Sequence, residues 1–235
     1  MLIETMTEKL IFDDFDKFFL EVEKETKQKE ENIRYYLWTD YYSSWIDLFK
    51  WLDQLKEEQR YKSLILYRLL ELNRQLLWIC KCVLSGTYHT AIRELRFVFE
   101  SFIQAYYVDK EHPNNEIECK LEIIKEIDRL IGTKLIDRTD LENKNELRKL
   151  YSELSKYIHP SHEELKSLLE TNGSITFIYD KELFDKCYIF TNKVMDAIIF
   201  ILMSFEKGMI KKIQEDKLIM EFLKETKLSL NLLNK

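Results

Sequence analysis

Apolar residues recur at every third or fourth position along most of this chain. In the first run, for example, Leu10, Phe15, Phe18 and Val22 fall on one side of a helical wheel. This period is typical of α-helices that bury one face. Together with capping and breaking residues at the ends of each run, it predicts helices over about residues 7–29, 32–57, 59–84, 89–110, 116–131, 140–159, 162–170, 181–205 and 209–224. The short β-like segment 174–179 is interpreted as an extended loop, because one isolated strand cannot form a sheet.

Turn-forming residues are rare and mark the ends of these runs. The 235 residues include only four glycines and two prolines, whereas average proteins contain roughly 7% and 5%. Gly86 is expected to end the third helix, Thr87 to cap the fourth, and Asp180 to cap the long apolar helix that follows it. The pattern predicts an all-α helical bundle of about seven to nine helices. We expect an N-terminal helical addition over 1–58, the bundle over 59–207, and a C-terminal helix packing on it over 208–235.

Composition narrows the classes of function. The chain has 36 basic and 42 acidic side chains, a formal charge of −6, which argues against non-specific coating of nucleic acid and leaves a local basic site open. Four cysteines without a CxxC pair favour a reducing compartment. No signal segment opens the chain, and the apolar run 197–203 is shorter than the roughly 20 residues of a membrane span. A cytoplasmic protein without membrane association or cofactor is therefore expected.

A polar stripe lies on the fourth predicted helix. His89, Arg93, Arg96 and Glu100 fall within roughly 60° of one another on a helical wheel, beside the apolar stripe. Paired arginines offer forked donors to phosphate or carboxylate oxygens, and a neighbouring glutamate can orient them. Alternatively, the same residues can form an arginine–glutamate network on the helix surface, as residues four apart commonly do. The spacing leaves both interpretations open.

The sixth predicted helix carries a second polar face, which ends in a histidine. Its members are Arg148, Ser152, Ser155 and His159, with Lys156 at the edge. An imidazole titrates near neutral pH and suits acid–base chemistry, although His159 can equally cap the last turn or bond to a neighbouring helix. No metal site is expected, because Pro160 breaks the helical register after His159 and no third ligand is evident.

Two motifs together resemble a known family. They are Ala91-Ile-Arg93-x-x-Arg96-x-x-x-Glu100 and Tyr151-x-x-Leu154-Ser155-x-Tyr157-x-His159-Pro-Ser161. The chain is similar over roughly residues 60–205 to the HEPN superfamily of helical bundles, especially its abortive-infection and uncharacterised prokaryotic branches. In that family, helices pair across a homodimer, and an arginine a few residues before a histidine forms a metal-independent ribonuclease site. Here the positions of that arginine hold Ser152, Glu153 and Leu154, so only His159 carries over directly.

Two main hypotheses of function follow. The resemblance implies an RNA-directed protein of prokaryotic defence or stress response, with a variant or degenerate site. His159 would be its catalytic residue, and the substrate-binding residues would be Arg93, Arg96, Glu100, Arg148 and Lys156. If active, it would be a metal-independent endoribonuclease. The alternative is a non-catalytic module for protein interaction or dimerisation, in which these residues form a structural network. No sequence motif supports a function as a small-molecule sensor. The expected partners are a second copy in a homodimer, and RNA or another protein.

Overall fold

The computed structural model describes residues 17, 19–30, 61–127, 133–157, 179–226 and 228–233. These parts of the chain contain ten helices and no strand, which confirms the all-α bundle. The helices are α1 (19–29), α2 (Leu64–Leu84), α3 (Tyr88–Glu111), α4 (Ile117–Ile127), α5 (Thr133–Arg138), α6 (Lys144–Ser155), α7 (Lys181–Phe205), α8 (Gly208–Glu215), α9 (Lys217–Glu225) and α10 (Leu228–Leu233). The predicted helices over about 32–57 and 162–170, the segment 174–178 and His159 lie outside the described residues.

The central element is α3, which packs against both α2 and α7 and also contacts α4, α5 and α6. Its apolar residues lie on more than one side, and Phe99, Phe102 and Tyr106 are almost completely buried. Burial of apolar surface is the main driving force for this arrangement. Because α6 also packs on α3, the fold brings together the two helices that carry the predicted polar stripes.

The ends of the helices follow from local side chains. Gly86 has a φ of 72°, a conformation that glycine adopts without steric cost, and this turn lets the Thr87 N–H donate to the Cys82 carbonyl at 2.8 Å. The prediction for Gly86 is confirmed. Thr87 does occupy the position before α3, but its hydroxyl donates to the Cys82 carbonyl at 2.9 Å and forms no cap bond. Asp180 caps α7 as predicted, accepting from the Leu183 N–H at 3.0 Å.

Several element boundaries differ from the prediction. Helix α2 begins at Leu64 because Ser63 is its N-cap residue. The segment between the helices predicted over 116–131 and 140–159 contains α5. The final predicted helix is interrupted at Asp216, whose carboxylate accepts from the Ile219 N–H at 3.0 Å and thereby starts α9. Seven of the nine predicted helices fall wholly or partly in the described residues, where the structure has ten. The three additional helices are α5, α10 and α9, which this break separates from α8.

A buried ion pair joins α2, α3 and α4. Asp109 of α3 and Lys120 of α4 are 2.8 Å apart, with side chains only 2% and 1% exposed. Lys120 also donates to the backbone carbonyl of Lys62. The Asp109 carboxylate accepts three further bonds at the start of α2, from the Ser63 hydroxyl at 2.8 Å and from the N–H groups of Leu64 at 3.1 Å and Ile65 at 3.0 Å. One carboxylate therefore caps α2 and ties it to the two helices that follow.

Helix α7 is the most apolar long helix in the described part of the chain. It is the one described helix long and apolar enough to cross a membrane by length and composition, with a mean hydropathy of 1.5 over its best window, but 67% of that window is buried inside the protein. Asp196, in the middle of α7, is buried and accepts from the N–H groups of Leu228 at 3.0 Å and Ser229 at 2.9 Å. The helix thus has the contacts of a core element, and its one central carboxylate caps α10.

Candidate functional site

The centre of the predicted polar region is Arg96. Its Nε donates to Glu100 Oε1 at 3.0 Å, and its Nη2 donates to the Tyr151 hydroxyl at 2.5 Å. The guanidinium carbon also lies 4.8 Å from the centre of the Tyr151 ring. The side chains of Arg96 and Glu100 are 16% and 17% exposed. These contacts connect α3 to α6 through an ion pair that is largely shielded from solvent.

Tyr151 is held in its neutral form by these surroundings. Burial raises the pKa of its phenol, the charge of Glu100 raises it further, and Arg96 opposes both effects. A phenol with a raised pKa keeps its proton near neutral pH, so it can accept a hydrogen bond from Arg96 and donate one to Glu100. The hydroxyl of Ser155 donates to the Tyr151 carbonyl at 2.7 Å. Arg96, Glu100 and Tyr151 thus form one polar network between α3 and α6.

A crevice opens beside this network, between α3, α5 and α6. Its empty volume is about 230 Å³, and its lining comprises four apolar residues and the polar side chains of Glu100, Gln104 and Tyr151. Small-molecule sites usually measure about 300–1,000 Å³. Even with its open mouth included, the crevice is smaller than that range, which argues against a nucleotide-sized ligand.

Arg93 does not join the Arg96 network, although both lie on the predicted stripe. Its side chain is 59% exposed, and among the described residues it pairs with Glu94, with Nε 4.0 Å from Oε1. Arg96, three residues later, faces α6. The structure thus brings Arg96 and Glu100 together, as their spacing allows, and leaves Arg93 at the surface.

Arg148 in α6 and Lys156 just after it lie in different surroundings. Arg148 donates from Nε to Asp137 at 2.6 Å and from Nη1 to Asn145 at 2.7 Å, so it ties α6 to α5. Lys156 is exposed immediately after the end of α6. Among the described residues, no contact joins Arg148 or Lys156 to Arg96. That the three belong to one substrate-binding set stays a prediction.

The described part of this chain segment ends at Tyr157, two residues before His159. The Tyr157 ring centre is 6.1 Å from that of His89 and 5.5 Å from that of Phe190. Lys186 Nζ lies 5.9 Å from the same ring centre. The segment leading to His159 thus begins at a cluster of aromatic and basic side chains from α3 and α7. The second sequence motif includes Tyr151 and Tyr157 but predicts a role for neither of them.

The described residues support neither a metal site nor a reactive thiol at Cys80 or Cys82. Among them, no group of three or more histidine, cysteine or acidic side chains is placed to hold a metal ion. Burial raises the pKa of the Cys80 thiol to about 12 and also raises that of Cys82. A thiol is nucleophilic only as the thiolate, so these two cysteines are packing residues at neutral pH.

Comparison with known proteins identifies no relative. No protein-family model matches the chain, no curated protein matches it, and no solved structure matches it.

Proposed function

We propose that this protein is a non-catalytic helical interaction module, in which Arg96, Glu100 and Tyr151 hold α3 against α6. The observation that carries the proposal is the state of Arg96. Its charge is compensated by Glu100 at 3.0 Å, and its Nε and Nη2 donate to Glu100 and Tyr151 within a largely buried pair. An arginine that steadies a reacting phosphate needs donors directed at the substrate. Here a phosphate that approached Nε or Nη2 would have to displace the carboxylate or the tyrosine.

A second feature supports an interaction role. Four large apolar side chains of α2 are between 46% and 70% exposed: Tyr67, Leu70, Leu77 and Trp78. The opposite side of α2 is in the core, where Ile65, Leu69, Leu72 and Ile79 are buried. Exposed apolar side chains grouped on one face of a helix, here on either side of Arg74, are typical of a binding surface for another protein.

The experiment is a double-mutant cycle on Arg96 and Glu100. We expect Arg96→Met and Glu100→Gln each to lower the free energy of unfolding by about 1–3 kcal/mol, because each leaves a partly buried polar partner unmatched. The double variant should cost less than the sum, with a coupling of about 0.5–3 kcal/mol. Arg93→Met is the matched control, since the same change at an exposed site should stay within about 0.5 kcal/mol. A stability unchanged by Arg96→Met would contradict a structural role.

A second candidate function is RNA binding with metal-independent cleavage, as the HEPN resemblance implies. The observation that favours it is the surface where α3 begins and α6 ends. Arg93 and Lys156 are both exposed there, and Tyr157 lies beside His89. Exposed cations and aromatic rings are the usual contacts of single-stranded nucleic acid. A role in defence or stress response belongs to this candidate alone.

The test for this candidate uses end-labelled single-stranded RNA in the presence of chelator, with the parent protein and the His159→Ala variant. Cleavage by the parent alone, leaving a cyclic phosphate or 3′-phosphate, would establish the ribonuclease and overturn the non-catalytic proposal. If the parent neither cleaves nor retains RNA, the RNA-directed candidate fails. Retention without cleavage, reduced by Arg93→Ala and Lys156→Ala, would establish an RNA-binding module.

A further inference from the structure

The exposed face of α2 is a row of apolar side chains with charges at its middle. Tyr67 and Trp78 lie near its two ends, with Leu70 and Leu77 between them along one edge. All four fall within roughly 100° of one another on a helical wheel. Arg74, at the centre, is 82% exposed and pairs with Glu71 at 3.1 Å. The face therefore has an aromatic residue at each end and one charge of each sign at its centre.

We infer that this face binds the same face of a second copy of the chain, with the two α2 helices antiparallel. The inference rests on the proposed interaction function and names its partner. A two-fold axis midway between Glu71 and Arg74 makes the face complementary to itself. It places Tyr67 opposite the partner's Trp78, and the reverse contact follows by symmetry. The same operation brings Leu70 within two residues of the partner's Leu77, along the same edge.

Charge favours this antiparallel arrangement. The axis sets Arg74 opposite the partner's Glu71 and Glu71 opposite the partner's Arg74, so the two central pairs are attractive. Parallel helices in register would instead place Arg74 against the partner's Arg74 and Glu71 against the partner's Glu71. Complementary charges at an interface fix register and exclude wrong pairings. Glu71 also accepts a hydrogen bond at 2.9 Å from Arg68, which lies on the side of α2 away from Leu70 and Leu77.

The size of the face sets the expected strength of binding. Four half-exposed apolar side chains offer on the order of 400 Å² per copy, about half of the roughly 800 Å² that each partner buries in a standard interface. Tyrosine and tryptophan are the residues that most often dominate binding energy. We therefore expect a specific but weak dimer that dissociates on dilution.

Sedimentation velocity of the full chain, from about 1 to 500 μM, tests the inference. The parent should shift from monomer to dimer within this range. Leu70→Glu and Leu77→Glu should each weaken dimerisation by at least about tenfold, because each buries a carboxylate against an apolar surface. Leu121→Glu is the matched control, since Leu121 is also an exposed leucine, on α4, and its change should leave the equilibrium unaltered. Far-ultraviolet circular dichroism checks that all variants are folded.

A charge-exchange experiment tests the register. Arg74→Glu gives the face two acidic centres and Glu71→Arg gives it two basic ones, so each variant alone should dimerise less than the parent. An equimolar mixture of the two should recover dimers, because each face then meets its opposite. A chain that remains monomeric throughout, equal weakening by Leu121→Glu, or no recovery in the mixture would overturn the inference. The Arg96–Glu100 coupling is measured separately. A monomeric protein with intact coupling would therefore contradict the dimer and still agree with a structural role for Arg96 and Glu100.

Discussion

The buried ion pair between Asp109 and Lys120 provides the sharpest test of how the bundle is held together. Lys120→Met keeps a long, unbranched side chain and removes the charge and its donors. Asp109 would then remain in the core without its cation. Because burying an unpaired charge is far more costly than losing an exposed ion pair, this substitution should be among the most destabilising at any lysine in the described part of the chain.

The magnitude follows from the geometry. Breaking a buried pair by removing one partner costs about 3–5 kcal/mol. Three donors remain to solvate the carboxylate, the Ser63 hydroxyl and the N–H groups of Leu64 and Ile65, which places the expected loss near the lower limit, about 3 kcal/mol. Domains of this kind have about 5–15 kcal/mol of total stability, so the variant should still fold, with a much lower urea midpoint.

Urea unfolding followed by circular dichroism at 222 nm measures this loss. Lys125→Met is the control on the same helix, because Lys125 is 70% exposed and pairs with Glu122 at the surface. Its effect should not exceed about 0.5 kcal/mol. Adding Asp109→Asn to Lys120→Met should recover part of the lost stability, since an amide carries no charge and still accepts from the start of α2. If Lys120→Met costs less than about 1 kcal/mol, the reasoning about this pair is refuted.

Three further predictions concern helix ends and pH. Asp196→Ala should release α10, seen as faster hydrogen exchange at the Leu228 and Ser229 amides, with a local loss of about 1–2 kcal/mol. Gly86→Ala should lower stability by about 1 kcal/mol in urea unfolding, because its φ of 72° disfavours a side chain. Burial raises the pKa of Tyr88 to about 12, while an unfolded tyrosine ionises near about 10. Thermal stability should therefore fall as the pH rises from about 10 toward 12, less steeply in Tyr88→Phe.

Strong local signals made the long helices predictable. The limits of α7 match the predicted range, because an unbroken apolar period follows a capping aspartate and ends where charge returns. Helix α3 is equally clear between Gly86 and Pro113. The all-α class follows from the repetition of this pattern. In these segments, local preference and tertiary burial favour the same conformation.

Short helices and buried polar pairs were not predictable from the same signals. Helix α5 has six residues, and isolated helices of that length are unstable without tertiary packing. Lys120 lies in a charged segment that resembles a solvated helix surface, yet its partners Asp109 and Lys62 are 11 and 58 residues away. Periodicity describes which face of a helix is apolar. It does not say which charged residue another helix will cover.

In the candidate site, too, periodicity does not say which charged residue another helix covers. Arg93 and Arg96 belong to one stripe in the sequence, but the edge of the buried surface passes between them, leaving Arg93 59% exposed and Arg96 16% exposed. The difference between the two arginines is the hydrogen bond of Arg96 to Tyr151, a residue 55 positions away in the sequence. Stability and ligand binding should therefore divide between the two positions. A loss of stability at Arg96 with no loss at Arg93 indicates a structural network, whereas loss of RNA retention at Arg93 without loss of stability indicates a surface site that the network only supports.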